Sequence, residues 1–212
     1  MKKLIKSGTI VTAEKTFKAD ILLEGERIVQ IESEITCPEA EIIDAAGMLV
    51  LPGGVDAHVH ISLPMAGTVS SDDYYTAGKA AAFGGTTSLI DFVSQDQGSL
   101  ADNIARKRAE ASPLASVDYG LHMNITRFDA QVAEEIPYLP SLGVSSIKVF
   151  TAYNNRLRLN DGDIFRVMRI AGQNGLLTMV HAENGDVIDI LAKEALLQGH
   201  TEPIWHARTR PA

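Results

Sequence analysis

From Met48 onward the chain alternates short apolar segments with longer amphipathic ones, and this alternation constrains the fold more than any other feature. Short apolar runs predict buried strands, and apolar residues recurring every three or four positions predict helices. The predicted strands are 49–60, 86–93, 119–125, 145–150 and 176–181. The predicted helices are 72–83, 100–111, 130–139, 161–174 and 185–198. This order is typical of βαβ units that build one parallel sheet.

The length limits how much of a closed barrel such units can form. Five strand-helix units at about 30 residues each fit the region after residue 49. A complete (β/α)₈ barrel takes about 250 residues, whereas the chain has 212. Three further units would need about 90 residues beyond Ala212. Gly84-Gly85, Gly143 and Gly175 follow predicted helices, where a left-handed C-terminal cap is expected.

Residues 1–49 have a different sequence pattern, in which short segments rich in β-branched residues are separated by turns. The segments 4–11, 20–23, 27–31 and 41–44 predict a small β module. Such a module needs a second sheet to cover its apolar face, and no later segment of the chain resembles one. The predicted fold class is therefore α/β, with half of a composite β-sandwich over 1–49 followed by the first five βα units of an incomplete barrel over 50–212.

Composition excludes several partners and locations. The net charge of −8 argues against nucleic acid or an anionic membrane as the main partner. Cys37 is the one cysteine, so it cannot form an internal disulfide, and we expect it to be an ordinary loop or strand residue. The N-terminus lacks the apolar run of a signal peptide, and no segment is long and apolar enough to span a bilayer. We expect a soluble cytoplasmic protein.

Two histidines end the first predicted barrel strand, in the segment DAHVH over residues 56–60. Residues two apart in a strand point to the same face, so His58 and His60 can bind one metal ion. Barrel enzymes place their sites at this end of their strands. The alternative is a chance pair of histidines on a solvated edge.

Lys148 interrupts an apolar strand, and His181 ends the next one. A buried ammonium is costly, so Lys148 must be paired, neutral or chemically altered, unless it stretches to solvent or pairs with Glu183. His181 is either a ligand or a satisfied core histidine. The other histidines carry less weight: His122 is expected in the core or behind the ligands, and His200 and His206 on a surface or loop.

Several motifs together resemble one family, the dihydropyrimidinase and D-hydantoinase branch of the cyclic amidohydrolases. The resemblance extends along the whole chain. The matching segments are KLIKSGTIV (3–11), PGGVDAHVH (52–60), GTVSSDDY (67–74), GGTTSLIDF (84–92), KVFTAY (148–153), VHAENGD (180–186) and HARTRP (206–211).

The resemblance implies a binuclear zinc centre. His58 and His60 would hold the more buried ion, His181 the second, and a carboxylated Lys148 would bridge them. A carbamate at Lys148 is anionic, which would remove the cost of a buried ammonium. Imidazole ligands favour zinc, although manganese or another divalent ion can load a mixed nitrogen and oxygen site. The family also uses a later histidine and an aspartate, which would lie beyond Ala212.

The implied reaction is reversible hydrolysis of a cyclic amide, as in dihydrouracil or 5-substituted hydantoins, to an N-carbamoyl amino acid. Tyr153 would bind the substrate and donate its hydroxyl to the developing oxyanion; the alternative is a tyrosine that only packs. The family is commonly homotetrameric. We expect the isolated chain to have little activity.

Related families differ at the loop after His60. Dihydroorotases carry an arginine where this chain has Ser62, and allantoinases usually have Glu-Pro-Gly where it has Leu63-Pro64-Met65. Ser62 and the following residues 63–67 favour a neutral ring with an apolar substituent. Non-catalytic relatives lose metal ligands that are present here. Two alternatives stay open: an allantoinase-like hydrolase, and a non-catalytic truncated remnant that at most binds a partner.

Overall fold

The computed structural model describes residues 1–65 and 67–211, and it divides into two compact units, Met1–Gly54 and Val55–Ala212. Ala66, which belongs to the loop 63–67, lies outside the described residues. Within the described ranges, no helix has the length and apolar character needed to cross a membrane.

The first unit is a small sheet of short strands. Its elements are β1 (Lys2–Val11), β2 (Thr16–Glu24), β3 (Arg27–Glu32), β4 (Glu41–Asp44) and β5 (Leu49–Val50). The strand order is β3-β2-β1-β4, and β5 also pairs with β1. β1 runs antiparallel to β2 and parallel to β4 and β5. The short strands predicted for this region are confirmed.

The second unit alternates strands and helices. Its elements are β6 (Gly54–Val59), β7 (Pro64–Met65), β8 (Thr68–Val69), α1 (Tyr74–Phe83), β9 (Thr86–Val93), α2 (Leu100–Ala111), β10 (Asp118–Asn124), α3 (Ala130–Glu135), a 3₁₀ helix (Ile136–Leu142), β11 (Ser146–Phe150), α4 (Asp161–Gln173), β12 (Leu177–His181), α5 (Gly185–Leu197) and α6 (Ile204–Arg208).

The main sheet of this unit has the order β12-β11-β10-β9-β6, and β9 to β12 pair in parallel. Sequential strands are therefore neighbours, as in the first part of an α/β barrel. The core lies between this sheet and α2, α3 and α4. Its fully buried members include Ile104, Met123, Val132, Ile147, Val149 and Val167. The predicted α/β class with a partial barrel is confirmed.

The predicted strand 49–60 is wrong as one element. β5 joins the sheet of the first unit, whereas β6 joins that of the second. Pro52 between them has no backbone donor for a strand ladder, and the adjoining Gly53 weakens a strand interior. His60 consequently lies just past the end of β6.

Three smaller differences have local causes. The helix predicted over 130–139 ends at Glu135 and continues as the 3₁₀ helix, which contains Pro137 and Pro140. Gly85, Gly143 and Gly175 have positive φ as expected, but Gly84 has φ −84°. The β7–β8 hairpin and α6 were not predicted. His206 is exposed as expected, although it lies on α6 rather than in a loop.

Candidate functional site

His58 and His60 lie at the carboxyl end of β6, the edge strand of the main sheet. Both are exposed, and their ring centroids are 5.3 Å apart. Partial burial of its ring, followed by the Lys148 charge, lowers the pKa of His58. Burial followed by the neighbouring His58 lowers the pKa of His60. Both rings therefore favour the neutral form, which is the form that binds a metal.

Lys148 lies in the middle of β11, with 8% of its surface exposed. Its Nζ is 3.5 Å from His58 Nε2. No carboxylate lies within ion-pair distance of it among residues 1–65 and 67–211. Burial lowers the pKa of the Lys148 ammonium. Neither a lysine stretching to solvent nor a Lys148–Glu183 pair describes this structure.

The ring of Phe92, at the end of β9, lies at the centre of this group. Its centroid is 4.6 Å from that of His58 and 4.8 Å from that of His60, and Lys148 Nζ lies 4.8 Å from it. The ring is almost fully buried. Phe92 therefore forms an apolar base on which both imidazoles and the lysine rest.

His122 lies behind the candidate ligands, in β10. Its Nε2 is 2.9 Å from the Ala57 carbonyl oxygen, and its Nδ1 contacts the Ser146 hydroxyl. Because a carbonyl only accepts, Nε2 carries a proton, and in the neutral ring Nδ1 accepts from the Ser146 hydroxyl. His122 thus ties the backbone before His58 to β10 and β11, in agreement with the expected position in the core behind the ligands.

His181 ends β12 and makes a separate set of contacts. Its Nε2 is 2.6 Å from Glu183 Oε2, and Arg210 Nε is 3.4 Å from the other carboxylate oxygen. The hydrogen bond from His181 is the main reason that the pKa of Glu183 is lowered. The Glu183 carboxylate is therefore hydrogen-bonded to His181 through one oxygen and ion-paired with Arg210 through the other.

Tyr153 follows β11 in the left-handed region, with φ 64°. Its ring centroid is 4.9 Å from that of His181, and 40% of its surface is exposed. A positive φ at a bulky residue is unusual and is held by its surroundings. Here the Tyr153 carbonyl accepts from the amides of Arg156 and Leu157, at 3.0 Å each.

The structure thus brings His58, His60 and Lys148 together and places Tyr153 beside His181. The two groups are joined through Phe150, whose ring contacts His181 and lies 5.2 Å from Lys148 Nζ. Over the described ranges, no three His, Cys, Asp or Glu side chains form a metal-binding group. The observed cluster combines two histidines with a lysine.

Sequence reasoning missed a buried polar group on the opposite face of β9. Asp91 accepts from the Tyr74 hydroxyl at 2.8 Å and lies 3.1 Å from Lys107 Nζ. Burial, followed by the Asp91 charge, raises the pKa of Tyr74, so the phenol stays a donor. The sequence did contain a signal for this group: Asp91 interrupts the apolar strand 86–93 as Lys148 interrupts β11. A buried charge in such a strand needs a partner or a function.

A cavity of about 510 Å³ opens at the carboxyl ends of β9 and β10. Its walls include Leu63, Phe92, Asn124 and Leu157. The Asn124 Oδ1 atom is buried and has no hydrogen-bond partner. Phe92 is shared with the histidine and lysine cluster, but none of the four predicted ligands lines the cavity.

Known proteins resemble the chain closely. It is 46% identical over 213 residues to a D-hydantoinase of Geobacillus stearothermophilus, covering 100% of the chain and 45% of that protein. It is 40% identical to dihydropyrimidinase 1 of Caenorhabditis briggsae, covering 98% of the chain and 44% of that protein. The crystal structure of a dihydropyrimidinase from Brevibacillus agri superposes with a TM-score of 0.96 at 47% identity, over 100% of the chain and 46% of that protein. No protein-family model matches.

A curved parallel sheet with histidines at the carboxyl ends of its strands and a buried lysine within one strand, preceded in the chain by a small β-sheet, defines part of a barrel of the hydantoinase type. The chain spans less than half the length of these relatives and matches their N-terminal part. Within that span it belongs to the dihydropyrimidinase/D-hydantoinase family of cyclic amidohydrolases.

Proposed function

We propose that the protein hydrolyses the ring amide of a dihydropyrimidine or 5-substituted hydantoin to an N-carbamoyl amino acid. One observation carries the proposal: Lys148 is buried with no anionic partner among residues 1–65 and 67–211, and its Nζ lies 3.5 Å from His58 Nε2 at the carboxyl end of β6, three strands away in the sheet. Burial of an ammonium is costly, and its contacts with the Phe92 and Phe150 rings offset only part of that cost, which favours a chemical role for Lys148. Family membership supports the reaction class.

The residues fit a divalent metal centre if Lys148 is carboxylated. An ammonium cannot bind a cation, but a carbamate offers two anionic oxygens. In forming it, the neutral lysine nitrogen adds to the carbon of carbon dioxide, one N–C bond forms and one proton leaves. His58 and His60 would hold one ion through imidazole nitrogens, and His181 would hold the second.

A bound zinc ion supplies Lewis acidity and lowers the pKa of coordinated water toward about 7. The chain's own residues would orient and enclose the reacting groups. Phe92 keeps water from beneath the imidazoles, and His122 holds the strand that carries His58. Tyr153 would donate its hydroxyl to the oxyanion as the ring carbonyl is attacked.

His181 would bind a metal through Nδ1, because its Nε2 is hydrogen-bonded to Glu183. Either ring nitrogen of histidine can bind a metal, while the other donates to a carboxylate. Glu183 would then be the carboxylate that orients His181. Arg210 on its other oxygen keeps that carboxylate ionised.

Metal binding by the purified chain tests the centre. Wild type, Lys148→Met and the matched surface change Lys193→Met are dialysed against Zn²⁺ with ¹³C-labelled bicarbonate. We expect wild type and Lys193→Met to retain zinc and to show a carbamate ¹³C signal, and Lys148→Met to lose both. Zinc retention by Lys148→Met at the wild-type level would contradict the bridging role.

A chimera tests the reaction. The chain would replace the matching part of the Geobacillus stearothermophilus D-hydantoinase, and dihydrouracil, phenylhydantoin and allantoin would be assayed side by side. We expect the chimera to hydrolyse dihydrouracil and phenylhydantoin, and we expect a chimera that also carries His58→Ala to hydrolyse neither. Preferential turnover of allantoin, or no turnover by a folded, zinc-loaded chimera, would overturn the substrate assignment.

We also propose that residues 1–49 form half of a composite β-sandwich and 50–212 the first five barrel units. The exposed Ile31 and Ile43 lie in register with Ile21 and Ile5 on one face of the small sheet, and this apolar face supports a second sheet that would cover it. The homotetramer and the cytoplasmic location implied by the family stay predictions. Analytical ultracentrifugation and cell fractionation of the encoded protein test them.

A further inference from the structure

The backbone of Ile61, the residue after His60, is held by two side chains. Ile61 lies beyond the end of β6, so the sheet supplies no partner for its peptide groups. Its N–H donates to Asp91 Oδ1 at 3.3 Å, and its carbonyl accepts from Lys107 Nζ at 2.8 Å. Two successive peptide planes are thereby fixed immediately after the candidate ligand.

The two side chains also bind each other. Lys107 Nζ lies 3.1 Å from Asp91 Oδ2, and their side chains are 13% and 2% exposed. The Tyr74 hydroxyl donates to the same carboxylate oxygen at 2.8 Å. We call Asp91, Lys107 and Tyr74 the β9 clamp; its members come from β9, α2 and the start of α1. Each polar group in it has a partner, which is what keeps a buried polar network rigid.

Stability alone does not account for such a pair. Replacing a buried ion pair by apolar side chains is often neutral or stabilising, because desolvation offsets the attraction. In this structure the pair holds the two peptide groups that follow His60, through the Ile61 N–H and the Ile61 carbonyl. Side chains behind a metal ligand commonly change metal affinity by about 10- to 100-fold when they are removed.

We propose that the β9 clamp positions His60 for metal binding. The clamp makes no hydrogen bond to the His58 or His60 imidazole; it acts through the Ile61 backbone, and Asp91, Lys107 and Tyr74 are positioning residues. The inference rests on the proposed metal centre for its functional meaning. The clamping of Ile61 itself is independent of any metal.

The test compares the full 212-residue chain with Lys107→Met, Asp91→Asn and the double variant, using Lys193→Met as the control. Co²⁺ is the probe, because its visible spectrum reports both affinity and ligand geometry. We expect the Co²⁺ dissociation constant to rise about 10- to 100-fold in the clamp variants. The spectrum should change, and the Ile61 amide should exchange at least about tenfold faster, whereas the double variant should still unfold cooperatively in urea from a folded state.

The possible outcomes separate the two proposals. A folded double variant with wild-type Co²⁺ affinity and wild-type Ile61 exchange overturns the clamp. Weaker binding together with an unfolded double variant assigns the pair to stability and also overturns it. If wild type binds no Co²⁺, the proposed metal centre is wrong. The hydrogen-exchange rate of the Ile61 amide and the NMR contacts of the His60 ring then decide whether the clamp fixes this segment.

Discussion

Lys148 Nζ lies 3.5 Å from His58 Nε2, although β9 and β10 separate their strands in the sheet. In a flat sheet, strands three places apart are about 14 Å from each other. The two side chains meet because the sheet curves as a barrel wall does and because both point to its inner face. Curvature therefore creates the candidate site.

Replacing Lys148 should separate stability from metal binding. Lys148→Met keeps a long, unbranched side chain and removes a buried charge that has no anionic partner in the part of the chain that the structure describes. Loss of its contacts with the Phe92 and Phe150 rings offsets part of that gain. We expect the metal-free free energy of unfolding to stay at or above the wild-type value, as measured by urea denaturation in a chelator. A loss above about 2 kcal/mol would mean that the ammonium has a structural partner.

Acid should weaken the first unit through Asp20. Its carboxylate accepts from the amides of Ser7 at 2.8 Å and Ile35 at 3.0 Å, and these bonds, Ser7 first, lower the pKa of Asp20. A lowered folded-state pKa gives stability that is complete above the unfolded value of about 3.9 and is lost as the pH falls through the folded value.

The variant Asp20→Asn tests this assignment. It removes the charge and leaves one amide without an acceptor, so we expect a loss of about 2 kcal/mol at neutral pH. Its urea midpoint should fall less between about pH 5 and pH 3 than that of wild type. Equal slopes for the two proteins would show that another carboxylate dominates acid unfolding.

Two glycines should respond oppositely to alanine. A Cβ on Gly185, at the start of α5, would lie 2.8 Å from Asn154 Oδ1 and 2.9 Å from Ala152 Cα. A Cβ on Gly172, inside α4, would meet nothing within 4 Å. We expect Gly185→Ala to cost about 1–3 kcal/mol and Gly172→Ala to add about 0.5–1 kcal/mol, measured by urea denaturation. Gly185→Ala should also move the NMR signals of the loop that carries Tyr153, and unmoved signals would contradict the predicted contact.

The Tyr153 hydroxyl should matter for rate and little for folding. Tyr153→Phe keeps the ring beside His181, so we expect the free energy of unfolding to change by less than about 0.5 kcal/mol. In the chimera, loss of one oxyanion donor should lower kcat about 100-fold or more. Tyr138→Phe, at an exposed position of the 3₁₀ helix, is the matched control. Equal kcat for the two variants would leave Tyr153 as a packing residue.

The order of strands and helices was predictable because it depends on local patterns. β4, β9 and α2 begin and end where those patterns place them. Two of the errors lie at prolines, where one missing donor changes the backbone: Pro52 divides a predicted strand, and Pro137 and Pro140 mark the end of α3. Which sheet each half of the divided strand joins depends on pairing partners that are distant in the chain.

For the candidate site, the sequence indicated which residue types are unusual, but it did not predict which of them are in contact. Two histidines at alternate positions and a lysine within an apolar strand are local signals of unusual chemistry. Which groups meet was decided by the tertiary structure: the curved sheet joins Lys148 to His58 and not to Glu183, which binds His181 and Arg210 instead. The role of Asp91 also needed the fold, because its partners Tyr74 and Lys107 come from two helices. The alternation of apolar and polar residues along a strand specifies which face of the sheet each side chain lies on. The distances between side chains on different strands and helices depend on how the sheet curves and how the helices pack.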